Sequence, residues 1–151
     1  MVARIVLVDD DRDFTSLVSE ILRQQGWDVV ACNVEADAVR CIRDAHPDLS
    51  ILDIRMSTRE SGWRIVEELQ RDPATSSLPI IVCSAAMDDI QRRALWMEER
   101  GIATLSKPFD IDDLIQLVQE MLPDDPADGA SRQIGTNGDK WTSVPRLPAK
   151  G

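Results

Sequence analysis

The chain has 151 residues, of which 43% are hydrophobic and 29% charged, and its formal net charge is −10. This length and apolar content predict one packed domain rather than a disordered chain. No stretch of 18 apolar residues occurs, which argues against a membrane span, and the acidic balance argues against direct binding of nucleic acid. Negative charge of this size instead favours divalent cations or basic partner surfaces.

Five short apolar runs predict β-strands at 4–8, 27–32, 48–53, 80–83 and 102–106. Amphipathic segments alternate with them and predict five helices: one capped by Asp11 or Asp13 that ends before Gly26, then 35–45, 62–71, 87–99, and one from Asp110 to Leu122. Strict alternation of strands and helices predicts the α/β class, with a parallel sheet covered on both faces. Right-handed crossovers favour a doubly wound five-stranded sheet of order 2-1-3-4-5.

Helical spacing predicts which side chains of each helix face the sheet. The predicted inward residues are Phe14, Leu17, Val18, Ile21 and Leu22 in the first helix and Val34, Ala38, Val39 and Ile42 in the second. In the fourth helix, Met87, Ile90, Ala94 and Met97 share one face. Leu95 and Trp96 lie off that face, so they either rest on neighbouring helices or form a docking patch.

The composition changes after Leu122, and we place a domain at 1–122 and a tail at 123–151. The tail holds four of the eight prolines and four of the seven glycines, and its four acidic and four basic residues balance. It has no apolar periodicity, so we expect it to be largely disordered. The alternative is a short docking segment around Trp141 and Val144.

The three cysteines, Cys32, Cys41 and Cys83, form no closely spaced pair, and the chain has one histidine. We expect small buried thiols in a reducing compartment rather than disulfides or a zinc site. The first residues show no signal-peptide pattern, so the predicted location is the cytoplasm.

Polar residues follow four of the predicted strands: Asp9 and Asp10 follow the first, Asp53 the third, Ser84 the fourth and Lys107 the fifth. In a sheet of order 2-1-3-4-5 these strand ends are neighbours, so the side chains are expected to converge. Clustered carboxylates repel each other unless a cation neutralises them, which predicts a bound Mg²⁺. An aspartate can also act as a nucleophile toward a phosphoryl group, whose oxygens Lys107 and Ser84 could hold.

The residues Val6-Leu7-Val8-Asp9-Asp10-Asp11, the strand ending in Asp53, Ser84-Ala85 and Lys107-Pro108-Phe109 resemble the signature of two-component response regulator receiver domains. The resemblance covers residues 4–122 and implies the flavodoxin-like receiver fold, close to that of single-domain chemotaxis regulators. It implies a phosphorylation-dependent signalling switch that catalyses only its own phosphorylation and dephosphorylation. The implied partners are a sensor histidine kinase or phosphotransfer protein and a downstream effector protein.

The resemblance also implies a role for each site residue. Asp53 would be the phosphoacceptor, and Asp10, Asp53 and the backbone carbonyl of Arg55 would hold Mg²⁺, with Asp9 assisting through water. Ser84 would be the switch hydroxyl, and Lys107 would pair with the phosphoryl group, oriented by a cis peptide bond to Pro108. The effector would bind the face formed by the fourth helix, the fifth strand and the fifth helix.

Two positions depart from the family pattern. Met56 is followed by Ser57 rather than proline, and the loop from Asp53 to Gly62 is one residue longer than usual. Thr104 occupies the position three residues before the lysine where the family usually has tyrosine or phenylalanine. An aromatic ring at that position therefore cannot carry the switch in this chain.

Two other function classes compete with a phosphorylated switch. A receiver-like interaction module that works without phosphorylation would usually lose the acidic pair, the acceptor or the lysine, and all three are present. A Mg²⁺-dependent phosphatase would usually carry an acid two residues after its nucleophile, where this chain has Arg55, which cannot donate a proton at neutral pH. A DNA-binding regulator with its own second domain would need a longer chain.

Overall fold

A computed structural model describes residues 2–58, 60–85 and 87–122. Its strands are β1 Arg4–Val8, β2 Asp28–Cys32, β3 Leu49–Leu52, β4 Ile80–Ser84 and β5 Ala103–Ser106. Its α-helices are α1 Arg12–Gln24, α2 Ala38–Ala45, α3 Ser61–Arg71, α4 Met87–Arg92, α5 Ala94–Glu99 and α6 Ile111–Met121, and a 3₁₀ turn Glu35–Asp37 precedes α2. The predicted tail and its Trp141 segment lie outside the described residues, so the boundary at residue 122 stays a prediction.

The five strands form one parallel sheet of order β2-β1-β3-β4-β5, which confirms the predicted fold class and topology. Val8 lies opposite Cys32 on one side and Leu52 on the other, and Ser84 lies opposite Ser106. The carboxyl ends of the strands are therefore level with one another. Residues that follow these ends meet along a single edge of the sheet.

Both faces of the sheet are buried, because successive residues of each strand point to opposite faces. In β1, Ile5 and Leu7 pack in a layer with α1 and α6, whereas Val6 and Val8 pack in a layer with α2, α3, α4 and α5. The strands consequently consist almost entirely of apolar residues, as is typical of parallel sheets. None of the helices in the described ranges is long and apolar enough to cross a membrane.

The predicted fourth helix is wrong as one continuous element, because it is broken at Arg93 into α4 and α5. The backbone of Arg93 leaves the helical region, at φ −108° and ψ 13°. Ile90 and Met97 are buried as predicted, but Ala94 is exposed because the break changes the rotation between the two halves. Leu95 is 67% exposed.

The sequence left two alternatives for Trp96, contact with a neighbouring helix or a docking patch, and the structure shows the first. Its ring meets that of Trp63 in α3 edge to face, with centroids 6.3 Å apart. The Arg100 guanidinium lies 4.3 Å from the centroid of the Trp96 ring. Trp96 therefore rests on a neighbouring helix, and such an aromatic pair adds about 1 kcal/mol beyond its area burial.

Two further residues predicted to face the sheet, in other helices, do not. Leu17 is 62% exposed, because the side of α1 that packs inward is centred on Thr15, Val18, Ser19 and Leu22. Val34 is 46% exposed, since it stands in an extended conformation before the 3₁₀ turn, and the inward helical spacing starts only at Ala38. The cap of α1 is Asp11, whose carboxylate accepts from the backbone N–H groups of Asp13 and Phe14.

Candidate functional site

The level strand ends bring together three of the acidic residues that the sequence singled out. Asp9 and Asp10 follow β1 and Asp53 follows β3, and one carboxylate oxygen of each lies within 4.8 Å of the others. Asp9 and Asp53 are buried, and Asp10 is exposed at the mouth of the site. Three carboxylates at this separation repel one another and favour a cation among them.

Asp9 is held from several sides. Its backbone N–H donates to the Cys32 carbonyl at 3.1 Å, and its carboxylate accepts from the Asp11 N–H at 3.0 Å. The Asn33 side-chain amide donates to the Asp9 carbonyl and to the Thr15 hydroxyl, both at 2.8 Å. Asn33 was missed by the sequence analysis, although its place directly after β2 could have marked it as a polar residue at the same edge.

Asp53 is fixed at the end of β3. Its N–H donates to the Val8 carbonyl at 3.0 Å, and its Oδ1 accepts from the Arg55 N–H at 3.0 Å. Burial raises the pKa of Asp53 above its usual value. The Arg55 N–H, the Lys107 charge and the Ser84 hydroxyl lower this pKa, but they do not cancel the effect of burial. Without a cation, the negative charge of the Asp53 carboxylate is therefore only partly compensated by these neighbours.

Lys107 supplies positive charge inside the cluster. Its Nζ lies 2.6 Å from Asp9 Oδ2 and 3.6 Å from Asp53 Oδ2. Burial lowers the pKa of Lys107, but the hydrogen bond to Asp9 and the neighbouring carboxylates outweigh it, and the net shift is upward. The ammonium is therefore bound more closely to Asp9 than to the proposed acceptor.

The backbone around Lys107 explains how the side chain reaches the site. The Lys107 N–H donates to the Ser84 carbonyl at 3.0 Å, and the Lys107–Pro108 peptide bond is cis, as the resemblance implied. The Lys107 Nζ also lies 4.1 Å from the centroid of the Phe14 ring, a cation–π contact that the sequence analysis did not identify. Phe14 was predicted only as a core residue of α1.

Ser84 is buried at the end of β4, and its hydroxyl lowers the pKa of Asp53. All the predicted side chains thus converge on one edge of the sheet. The neighbouring Cys83 is buried in the sheet, and burial raises the pKa of its thiol to about 12. Cys83 is therefore a protonated core residue at neutral pH rather than a nucleophile of the site.

Gly62 brings the start of α3 close to the strand that carries Asp53. A Cβ at this position would lie 2.0 Å from Ile54 Cα and 2.6 Å from the Asp53 carbonyl oxygen. The Gly62 N–H donates to the Ile54 carbonyl at 2.8 Å. Only glycine allows this approach, so the loop still returns to the backbone next to Asp53.

Arg55 has a second role that the sequence did not reveal. Its guanidinium lies 3.2 Å from Asp89, a buried carboxylate in α4 that also pairs with Arg92. The loop after Asp53 is thereby tied to α4. The predicted use of the Arg55 backbone carbonyl as a metal ligand stays a prediction.

Comparison with known proteins agrees with this geometry. The family model of the response regulator receiver domain matches residues 5–119. The chain belongs to the response regulator receiver domain family. The predicted resemblance and the receiver fold are thereby confirmed.

Relatives of this receiver domain include two full-length regulators. The DNA-binding dual master transcriptional regulator RpaA of Synechocystis is 29% identical over 79% of this chain and 48% of its own length. The transcriptional regulatory protein CpxR of Klebsiella pneumoniae is 31% identical over 79% of this chain and 49% of its own. The chain therefore spans about half the length of these curated relatives.

A solved response regulator structure from Desulfuromonas acetoxidans superposes on the receiver domain with a TM-score of 0.66. It is 28% identical, covering 78% of this chain and 94% of the other. Receiver domains bind Mg²⁺ through an acidic cluster, and here Asp9, Asp10 and Asp53 form such a cluster. The donor set fits that ion, because Mg²⁺ prefers hard carboxylate oxygens and three such groups exceed the charge of Lys107.

Proposed function

We propose that this receiver domain is a phosphorylation-dependent switch. Asp53 accepts a phosphoryl group from the phosphohistidine of a sensor histidine kinase or phosphotransfer protein. The observation that carries the proposal is the position of Asp53, at a strand end within reach of two further carboxylates, one ammonium and one hydroxyl. Those are the groups needed to bind a phosphoryl group and balance its charge.

The transfer forms one bond and breaks one. A carboxylate oxygen of Asp53 attacks phosphorus, the P–N bond to the donor histidine breaks, and that nitrogen keeps the electron pair and is reprotonated by solvent. Asp53 attacks as the ionised carboxylate, the form that the Arg55 N–H and the Lys107 charge favour. The hydrogen bond from the Arg55 N–H to Oδ1 orients the carboxylate for this attack.

Mg²⁺ would be held by Asp10, Asp53 and the Arg55 carbonyl, with Asp9 acting through water. A bound Mg²⁺ at these ligands supplies positive charge to the phosphoryl oxygens and to the clustered carboxylates. Asp9 is fixed by the Asp11 N–H and the Asn33 amide, so it keeps its place when the charge of the site changes.

Lys107 and Ser84 respond to the arrival of the phosphoryl group. The Lys107 ammonium is 3.6 Å from Asp53 and 2.6 Å from Asp9, so a phosphoryl group on Asp53 offers it a new and stronger partner. The Ser84 hydroxyl lies close enough to lower the pKa of Asp53 and can donate to a phosphoryl oxygen. Movement of Ser84 carries the segment before α4 with it, since the two are adjacent in the chain.

Hydrolysis returns the switch to its first state. Water attacks phosphorus, the bond from phosphorus to the Asp53 oxygen breaks, and inorganic phosphate leaves with the carboxylate restored. The domain thus catalyses its own phosphorylation and dephosphorylation and is not an enzyme acting on an external substrate.

The output surface consists of α4, α5, β5 and α6, and its partner is a downstream effector protein. Leu95 is exposed on α5, and Trp96 is half-buried against Trp63, so this surface offers an apolar anchor beside a rigid aromatic one. Thr104 on β5 provides no ring that could flip, so α4 and the segment before it carry the change.

The test is phosphate uptake from acetyl phosphate in the presence of Mg²⁺, followed by intact-mass spectrometry. The unmodified protein gains one phosphate, Asp53→Asn gains none, and Asp72→Asn, a change at a partly exposed aspartate that follows the C-terminal end of α3, gains one. A folded protein that takes up no phosphate would contradict the proposal and favour an interaction module that works without phosphorylation.

A further inference from the structure

An open apolar groove lies between α1 and the loop that contains Lys107 and Pro108. Its volume is about 460 Å³, and its lining includes Phe14, Leu17, Ile21, Pro108 and Phe109. The rings of Phe14 and Phe109 meet edge to face, with centroids 6.2 Å apart, and form an aromatic wall. A groove of this size and character is typical of a binding site.

The groove explains the exposure of Leu17, which was predicted to be buried. Leu17 is 62% exposed and yet lines an apolar groove, so an occupant of the groove would bury its side chain. A surface leucine is common by itself, but one placed in an aromatic-walled groove indicates a docking site.

The elements that border the groove are acidic. Residues 10–21 and 107–113 contain seven aspartates and glutamates against two basic residues, Arg12 and Lys107. The lining is apolar except for Lys107, so apolar side chains of an occupant would match it, and positive charge on the occupant would match the acidic residues of these bordering elements.

The chain itself contains a segment of this chemistry. Residues 140–150 hold three basic residues and no acidic one, together with Trp141, Val144 and Leu147. Pro145 and Pro148 stand three residues apart, a spacing that favours the polyproline II conformation. Segments of this kind dock in aromatic-lined grooves with little loss of conformational entropy.

The connection is long enough for the segment to reach the groove. Ile111, at the start of α6, lines the groove, and the tail leaves from the other end of this helix of 11 residues, roughly 16 Å away. The 17 residues from 123 to 139, taken as a flexible chain, have a root-mean-square span of roughly 23 Å. A tether of this length gives an effective concentration on the order of millimolar, so a weak contact is enough for docking.

We propose that residues 140–148 dock in the groove between α1 and the Lys107–Phe109 loop of the same chain. Trp141 and the two prolines contact the aromatic wall and Leu17, and Arg146 and Lys140 face the acidic rim. The proposal does not rest on the function proposed above.

The test is ¹⁹F NMR of the full chain labelled with 5-fluorotryptophan. The four tryptophans give four resonances, and Trp141→Phe assigns that of Trp141. A synthetic peptide of residues 140–150 with the same label gives the undocked position. We expect the Trp141 resonance of the full chain to lie away from the peptide position and to move at least halfway toward it in Leu17→Gln.

Leu95→Gln is the matched control, because Leu95 is 67% exposed on a helix that packs against the opposite face of the sheet. Glutamine keeps the helix propensity at both sites, and the other three tryptophan resonances report that the fold is intact. The proposal is overturned if the Trp141 resonance coincides with that of the peptide, or if both variants move it equally. A resonance that approaches the peptide position on dilution would assign the groove to the tail of a second copy and would also overturn docking within one chain.

Discussion

Two cationic residues border Asp53, and the structure uses them in different ways. Lys107 places its ammonium among the carboxylates, 2.6 Å from Asp9 and 3.6 Å from Asp53, with 22% of its side chain exposed. Arg55 is 47% exposed, and its guanidinium turns away to Asp89 in α4, so that only its backbone N–H reaches Asp53.

The difference indicates two separate roles: Lys107 balances charge in the site, and Arg55 links the site to α4. Lys107 is a partner for any negative charge that Asp53 gains, because its ammonium already lies in the site. The Arg55 side chain instead connects the loop after Asp53 with α4, the first helix of the proposed output surface. Loss of the Lys107 side chain should impair phosphoryl transfer, and loss of the Arg55 side chain should mainly affect the position of α4.

The largest expected effect is on phosphate uptake. Lys107→Ala should lower the initial rate of uptake from acetyl phosphate by about 10- to 100-fold, since a hydrogen bond to a charged group contributes about 1.5–3 kcal/mol. Arg55→Ala should stay within about threefold of the unmodified protein, because the backbone N–H that orients Asp53 is retained. Initial rates by intact-mass spectrometry, with circular dichroism as a check on folding, measure both.

Equal loss of rate in the two variants would contradict the distinction. It would mean that the Arg55 guanidinium leaves Asp89 to act in the transfer itself.

A smaller effect is expected in the stabilisation by Mg²⁺. At ten times its dissociation constant, the ion should stabilise the unmodified domain by about 1.4 kcal/mol and raise the melting temperature by about 5 °C. Asp10→Asn and Asp53→Asn should abolish this rise, because each removes a ligand. Asp89→Asn is the matched control: it should lower the melting temperature without Mg²⁺, since Arg55 and Arg92 lose a charged partner, but it should keep the rise.

Thermal melts with and without millimolar Mg²⁺ compare the three variants. If Mg²⁺ does not change the melting temperature of the unmodified domain, the acidic cluster is not a metal site.

The smallest expected effect is in the pH dependence of stability without metal, and it has opposite signs at two aspartates. Burial raises the pKa of Asp53, so ionisation of Asp53 costs stability above its folded pKa, and this cost disappears as pH falls toward the ordinary value of 3.8. The Ala74 N–H and Arg43 lower the pKa of the exposed Asp72, so its stabilisation is present above 3.8 and is lost as pH falls through its folded pKa.

Urea denaturation of Asp53→Asn and Asp72→Asn, at about pH 7 and about pH 3, measures both signs. Asp53→Asn should gain stability at neutral pH, with a smaller gain in acid, whereas Asp72→Asn should lose stability at neutral pH, with a smaller loss in acid. A stability loss for Asp53→Asn at neutral pH would show that Lys107 already compensates the Asp53 charge fully.

The site residues could be predicted from the sequence because their positions follow from topology. Asp9, Asp53, Ser84 and Lys107 each stand at the end of an apolar run, and a parallel sheet aligns those ends. The alternation of strands and helices determined the strand order in the same way, through the preference for right-handed crossovers.

What the sequence did not reveal depends on contacts between distant segments. The Arg55–Asp89 pair joins residues 34 positions apart, and no periodicity marks it. The break at Arg93 and the exposure of Ala94 contradict a helical spacing that looks continuous from 87 to 99. Leu17 and Val34 fit an apolar pattern but lie beyond the surface that the sheet covers, because the pattern does not show where packing ends.

Whether occupancy of the Asp53 site changes the output surface is tested most directly by hydrogen exchange with the acyl-phosphate mimic beryllofluoride and Mg²⁺. Backbone amides of residues 84–106 should exchange at altered rates when the mimic is bound, whereas those of α2 should not change. Asp53→Asn should show no difference on addition of the mimic. Unchanged exchange across 84–106, with the mimic bound to the unmodified protein, would contradict the proposed switch.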